Sequence, residues 1–240
     1  RPETSLSHDY ITSISRTDHP DQLWIGTRDG LNRLDIRTGV CRKFRHEASQ
    51  PGSLRHNDIH NTFLDSRGDL WVIANLFLHR LPRGRSEFIH YRHQPSDPES
   101  ISDNPGYPIF EDSAGTIWIG SWSNGLNRYD RATGTFRHYT HGPGNPNSLS
   151  RNRVWAIHED CRGRMWIGTY GGGLNLFDRK SGRFRRYLDT DGLASNVVYA
   201  ILEDASGCLW MSTNNGLSRF NPDDETFRNY DVDDGLQSQE

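Results

Sequence analysis

Asp112-Ser113-Ala114-Gly115-Thr116-Ile117-Trp118-Ile119-Gly120-Ser121 is the stretch whose reading decides the fold, together with Gly125-Leu126-Asn127-Arg128 just after it. An Asp that opens a four-residue turn and a Gly that closes it make a tight hairpin, because Gly accepts positive φ at little cost. The short run of β-branched and aromatic residues behind the turn reads as a strand, and Gly-Leu-Asn-Arg reads as its returning partner. A second turn spans residues 130–134, and Phe136-Arg137-His138-Tyr139 follows as a further strand.

The same phrase occurs five times. Leu23-Trp24-Ile25-Gly26-Thr27, Leu70-Trp71-Val72, Met165-Trp166-Ile167-Gly168-Thr169 and Leu209-Trp210-Met211-Ser212-Thr213 repeat its centre. The tryptophans stand 47, 47, 48 and 44 residues apart. Each unit holds four short strands, as at 197–203, 208–213, 216–220 and 226–230 in the last one, and none has room for a helix of ordinary length. Four strands per unit of this length is the pattern of a β-propeller blade, whereas the coils of a β-solenoid are usually shorter. The chain is therefore expected to be all-β: five four-stranded blades, approximately 8–54, 55–101, 102–149, 150–193 and 194–236, forming part of a larger propeller of the seven-bladed type. A Trp present in every unit reads as packing between blades rather than as a ligand platform.

Composition narrows the function. Only 33% of residues are hydrophobic, and the 28 basic and 31 acidic side chains give a net charge of −3, which offers no general field for nucleic acid. Cys41, Cys161 and Cys208 share no metal-ligand spacing and form no even-numbered disulfide framework. No apolar run approaches the roughly 18 residues of a membrane span, and any targeting segment would lie outside these residues. His46, His90, His93, His138, His141 and His158 show no paired metal spacing, so no metal or other cofactor is expected. Glu111-Asp112, Glu159-Asp160 and Glu203-Asp204 recur at the same hairpin edge and read as turn-formers, not as a catalytic pair. The turn spacing also differs from the Asp-box of sialidase-like propellers, and an enzymatic role is not expected.

The linker phrase Pro51-Gly52-Ser53-Leu54, Pro98-Glu99-Ser100-Ile101, Pro146-Asn147-Ser148-Leu149 also appears at the N-terminus, as Pro2-Glu3-Thr4-Ser5-Leu6. At the other end, Asp234-Gly235-Leu236 matches Asp191-Gly192-Leu193, which leads into a blade. Further blades are expected on both sides.

Asp-x-x-Gly-x-Leu-Trp-Ile-Gly-Thr followed by Gly-Leu-Asn-Arg-Phe/Tyr-Asp resembles the two-component-regulator propeller repeat, and the resemblance runs over residues 2–240. The second unit departs most: Ile73-Ala74-Asn75-Leu76-Phe77-Leu78 replaces Gly-Thr-x-x-Gly-Leu, which weakens the reading of its hairpin. The resemblance implies a periplasmic sensor region of a dimeric membrane receptor. In that family the propellers are usually followed by a small tyrosine-rich sandwich domain, a transmembrane helix and a cytoplasmic histidine kinase or diguanylate cyclase. It also implies that this piece comes from late in the array.

Propellers bind ligands where loops converge at the channel mouth. The residue after the Gly-Thr element varies from unit to unit, and Arg28, Asn75, Trp122, Tyr170 and Asn214 are the ligand-binding candidates. Two aromatic rings, two amides and a guanidinium suit an oligosaccharide or another small molecule; ordinary rim residues are the plainer reading. Asn57, Asn104, Asn152 and Asn196 recur before the first strand, where Asn can fix the turn into it through its own backbone. His60, Tyr107, Trp155 and Tyr199 share one position within that strand and either line the channel or pack between blades. Two function classes remain: a ligand-sensing module of a homodimeric receptor, or a protein-binding or dimerisation scaffold without a small ligand.

Overall fold

The computed structural model describes residues 4–103 and 105–238. They form five four-stranded antiparallel meanders, each in sequence order. The first blade comprises β1 (Ile11–Arg16), β2 (Gln22–Thr27), β3 (Gly30–Asp35) and β4 (Cys41–Phe44). The second comprises β5 (Ile59–Leu64), β6 (Leu70–Ala74), β7 (Phe77–Leu81) and β8 (Ile89–Tyr91). The third holds β9 (Pro105–Glu111), β10 (Ile117–Ser121), β11 (Leu126–Tyr129) and β12 (Phe136–Tyr139). The fourth holds β13 (Val154–Glu159), β14 (Met165–Thr169), β15 (Leu174–Asp178) and β16 (Arg183–Tyr187). The fifth is β17 (Val198–Glu203), β18 (Leu209–Thr213), β19 (Gly216–Asn221) and β20 (Thr226–Tyr230). Among the described residues the only helical turns are two three-residue 3-10 turns at 189–191 and 232–234. The irregular second unit does form its hairpin: Ala74 pairs with Phe77 across a two-residue loop in which Asn75 adopts φ 51°. Asn is among the few residues other than Gly that enter that region readily.

The recurrent tryptophans pack between blades. Trp24 joins Ile59, Leu70 and Val72 of the second blade; Trp71 joins Ile109, Ile117 and Ile119 of the third. Trp118 joins Val154, Met165 and Ile167 of the fourth, and Trp166 joins Val198, Ile201, Leu209 and Met211 of the fifth. The Gly two residues after Trp permits this close approach. A Cβ on Gly26 would fall 2.7 Å from Ile59, one on Gly120 2.9 Å from Val154, and one on Gly168 2.7 Å from Val198. In the second blade the pattern is exchanged: Ile73 stands where the first, third and fourth have Gly and the fifth has Ser212, and the third blade has Gly106 where the others have Ile or Val. On the first blade, Ile14 is 62% exposed, while its counterparts Ile109 and Ile201 are each 7% exposed against the preceding blade.

Each indole also anchors a polar network. The Nε1–H of Trp71, Trp118, Trp166 and Trp210 donates to Oδ2 of Asp65, Asp112, Asp160 and Asp204 at 2.8 to 2.9 Å. This bond, with further donors behind it, holds the Asp204 carboxyl down at about 2. The other carboxylate oxygen of each Asp accepts the backbone N–H groups that close its turn, as with Ala114 and Thr116 on Asp112. The Glu one residue ahead of that Asp has a role the sequence reading did not assign. Glu111 accepts from the backbone N–H and hydroxyl of Ser66, Glu159 from those of Ser113, and Glu203 from the N–H of Cys161. It is thus a clasp on the turn of the preceding blade. Arg131 spans the same seam between Asp65 and Glu111, and Arg179 between Asp112 and Glu159. The second blade has Leu64 in place of the Glu, and the first blade, facing it, has no Asp-x-x-Gly turn to clasp.

At the opposite end, the Asn of Gly-Leu-Asn is fully buried and pins the entering linker. Asn32, Asn127 and Asn175 accept from the N–H of Ser7, Ser102 and Ser150, and Ser218 accepts from Ala194. The second blade uses His79, whose Nε2 accepts from the Arg55 N–H at 2.9 Å. Burial, then the adjacent His90, lowers the His79 pKa to about 3.

Two outcomes follow. Replacing Trp118 by Ala removes a fully enclosed ring and leaves Asp112 without its donor, a loss of about 3–5 kcal/mol in denaturant unfolding. Because His79 is held neutral, the unfolded chain takes up the proton first as pH falls, so its contribution is complete above the ordinary His range and declines from about pH 6.5 toward 3. Stability is then about 2 kcal/mol lower at pH 5 than at pH 7.5 through this residue, and His79→Asn, which restores the common residue, flattens that slope in melts recorded across the range.

Candidate functional site

The five candidates stand at one edge of the sheets. Each directly follows the second strand of its blade, where the innermost strand begins. The innermost strands also carry a register break there, between Ile11 and Ser13, Ile59 and Asn61, Val154 and Ala156, and Val198 and Ala200. The residue at each break is the one matching His60, Trp155 and Tyr199, so these lie on β-bulges, which turn a side chain out of the sheet's alternation. The residue before the innermost strand is tied to the candidate by a backbone bond: Arg28 N–H donates to Tyr10 O, Asn75 to Asp58 O, and Tyr170 to Arg153 O. Two variable positions are thereby brought side by side in these blades.

In the fourth blade this pairing builds a cluster. The Arg153 guanidinium lies over the Tyr170 ring at 4.4 Å and over the Trp122 ring of the third blade at 4.6 Å, with Trp155 at 5.3 Å. Trp155 meets Trp122 edge-on at 5.2 Å and Tyr199 of the fifth blade at 5.3 Å. Three blades so contribute four aromatic rings around one arginine. Tyr170 and Tyr199 are 40% and 36% exposed, and Trp122 and Trp155 are half-buried. The first blade has the same pairing in mirror order, with Arg28 over Tyr10 at 4.0 Å.

Of the five candidates, Trp122 and Tyr170 are brought together, through Arg153. Arg28 stacks within its own blade, Asn75 shapes the second blade's hairpin, and the buried Oδ1 of Asn214 accepts no hydrogen bond among the described residues. Trp155 and Tyr199 contact rings of neighbouring blades, the inter-blade reading of that position. Tyr107 lies among the residues whose side chains are not described. Asn57, Asn152 and Asn196 are structural, though not through their own backbone. Their amide oxygens accept from His46, His141 and Asp189, and their carbonyls accept from Gly30, Gly125 and Gly173 of the preceding blade. Asn104 lies outside the described residues.

Sequence reasoning missed Arg153. Its position reads Tyr10, Asp58, Pro105, Arg153 and Val197 through the five blades, a variation as wide as that of the chosen set and therefore an available signal.

A separate concavity lies elsewhere. A cleft of about 830 Å³ between the outer strands of the second and third blades is lined by Arg55, Phe77, His90, Tyr91 and Phe136, among others. Its polar groups serve the fold: His90 bonds the Pro51 carbonyl, and the Arg55 N–H bonds His79. Among the described residues no group of His, Cys, Asp and Glu is placed to hold a metal ion.

Residues 148–171 and 192–215 match the model of the two component regulator propeller. These two segments are similar to that repeat. Each runs from the linker through the innermost strand and the turn to just past the second strand, and so contains the cluster residues of its blade. The repeats superpose on the extracellular domain assigned to the hybrid two component system BT3049 of B. thetaiotaomicron, with a TM-score of 0.78 and 26% identity over 93% of this chain and 30% of that one. They also match the extracellular domain assigned to the one component system BT4673 of that organism (TM-score 0.57, 23% identity, 94% of this chain and 38% of that one). PorZ, a surface component of the type-IX secretion system of Porphyromonas gingivalis, shares the fold (TM-score 0.69, 16% identity, 95% of this chain and 34% of that one). The propeller repeats thus span about a third of the solved chains they match. No curated protein matches the chain.

The cluster predicts a spectroscopic result. With Arg153→Met the cation is withdrawn from three rings, and near-ultraviolet circular dichroism from Trp122 and Trp155 changes while the unfolding free energy falls by no more than the roughly 0.5–2 kcal/mol of such contacts.

Proposed function

We propose that this chain is a segment of an extracytoplasmic sensor propeller whose ligand, an oligosaccharide or small metabolite, docks on the cluster of Trp122, Trp155, Tyr170 and Tyr199. The observation that carries this reading is the gathering of four partly exposed rings from three blades at the edge where the innermost strands begin. Flat aromatic faces stack on sugar rings, and a set drawn from several blades senses their relative placement. The similarity to extracellular domains of two-component and one-component systems supports the location and the signalling role. In this reading the chain is not an enzyme: the carboxylates that recur at the opposite edge are engaged in turns and seams, and output chemistry belongs to another part of the receptor. No helix among the described residues is long and apolar enough to cross a membrane.

A scaffold role, in which the chain binds another protein or a second copy without a small ligand, is the second reading.

Thermal unfolding against a panel of oligosaccharides and metabolites separates the two. A ligand at a hundred times its Kd contributes about 2.7 kcal/mol, which raises the melting temperature by several degrees. Trp122→Ala with Tyr170→Ala abolishes that rise. An unchanged response in the double variant removes these residues from the site, and a response to protein partners alone supports the scaffold.

A further inference from the structure

Arg153 differs from the other arginines of the propeller seams. Arg131, Arg164, Arg179 and Arg219 each lie beside a carboxylate. Arg153 has no carboxylate of the described residues within ion-pair distance, and its Nε is buried without a hydrogen-bond acceptor. Its guanidinium lies over the rings of Trp122 and Tyr170, at 4.6 and 4.4 Å. Such ring contacts restrain the group, and its N–H donors remain to be paired. A guanidinium edge presents parallel N–H donors whose spacing fits the two oxygens of a carboxylate, and a preorganised, partly desolvated fork loses little freedom on forming that pair. If the arginine served only to prop the rings, its charge would remain uncompensated in an aromatic setting.

We propose that Arg153 is the anion-recognition residue of the cluster and that the ligand is an acidic oligosaccharide, with a uronate carboxylate on Arg153 and adjoining sugar rings on the neighbouring aromatic residues. This rests on the reading of the cluster as a ligand site. It adds a charge requirement that the aromatic rings by themselves do not impose. The carboxylate pairs in plane with the guanidinium edge, and the rings beside it lower the local dielectric and strengthen the pair.

The test is isothermal titration with tetragalacturonate, a hyaluronan tetrasaccharide and an alginate tetramer, each beside its methyl ester, which keeps the sugar and removes the charge. The neutral oligosaccharides of the panel are titrated in parallel. We expect at least one free acid to bind on the order of tenfold or more tightly than its ester, a preference that weakens with added salt. In Arg153→Gln the acid falls to the affinity of the ester, Arg153→Lys recovers part of the difference, and Trp122→Ala weakens acid and ester alike. Melting temperatures without ligand verify that the variants are folded. Equal affinity of the wild type for acid and ester, or a preference that survives Arg153→Gln, overturns the charge assignment and leaves the cluster standing as a site for neutral sugars. Failure of acids, esters, neutral sugars and the metabolites of the panel to bind overturns both.

Discussion

The indole wedged between adjacent sheets is the contact on which the rest of this structure depends. A four-stranded meander cannot bury both faces by itself, and here each blade lays its Trp against the inner strands of the next. The ring has one polar atom, and burying it unpaired would be costly. The Asp of the preceding turn supplies the acceptor in four of the five blades, which ties the turn, the strand and the blade interface to one side chain. Once that carboxylate is fixed, the Arg of the following blade finds it, and the Glu beside its own Asp reaches back to the turn. The seam is therefore polar at one edge, aromatic in the middle and closed by Asn-held linkers at the other edge.

Most of the fold was legible in the sequence because its determinants are local. The turn chemistry of Asp112-Ser113-Ala114-Gly115 and the run Ile117–Ser121 place the strands within about a residue. The Glu clasp was not legible: Glu159 and Ser113 are 46 residues apart, and nothing in either repeat states how neighbouring blades are set against each other. Blade-to-blade substitution shows the same limit. Ile73 looks like a defect of the second repeat until Gly106 of the third is set beside it. His79 likewise replaces a recurrent Asn yet accepts the same kind of backbone hydrogen bond.

The candidate site was legible in part. Variation after the second strand selected Trp122 and Tyr170, which Arg153 brings together, and also Arg28, Asn75 and Asn214, which no contact among the described residues joins to them. What sorts them is the neighbour across the innermost strand. That neighbour is an arginine in the fourth blade, an aspartate in the second and a valine in the fifth, and only the folded chain shows which of these reaches a ring of another blade. Outer clefts are larger, but the groups lining them already hold blades together. The cluster around Arg153 has partly exposed rings and a cation with no carboxylate beside it among the described residues.

The central claim, that recognition takes place at this mouth, is tested most directly by hydrogen–deuterium exchange of the chain with and without the ligand that gives the largest thermal shift. The account predicts slowed exchange at 121–124, 152–155 and 169–173, where strand ends and bulges surround Arg153. Protection confined to the outer cleft around His90 and Phe136 would contradict it.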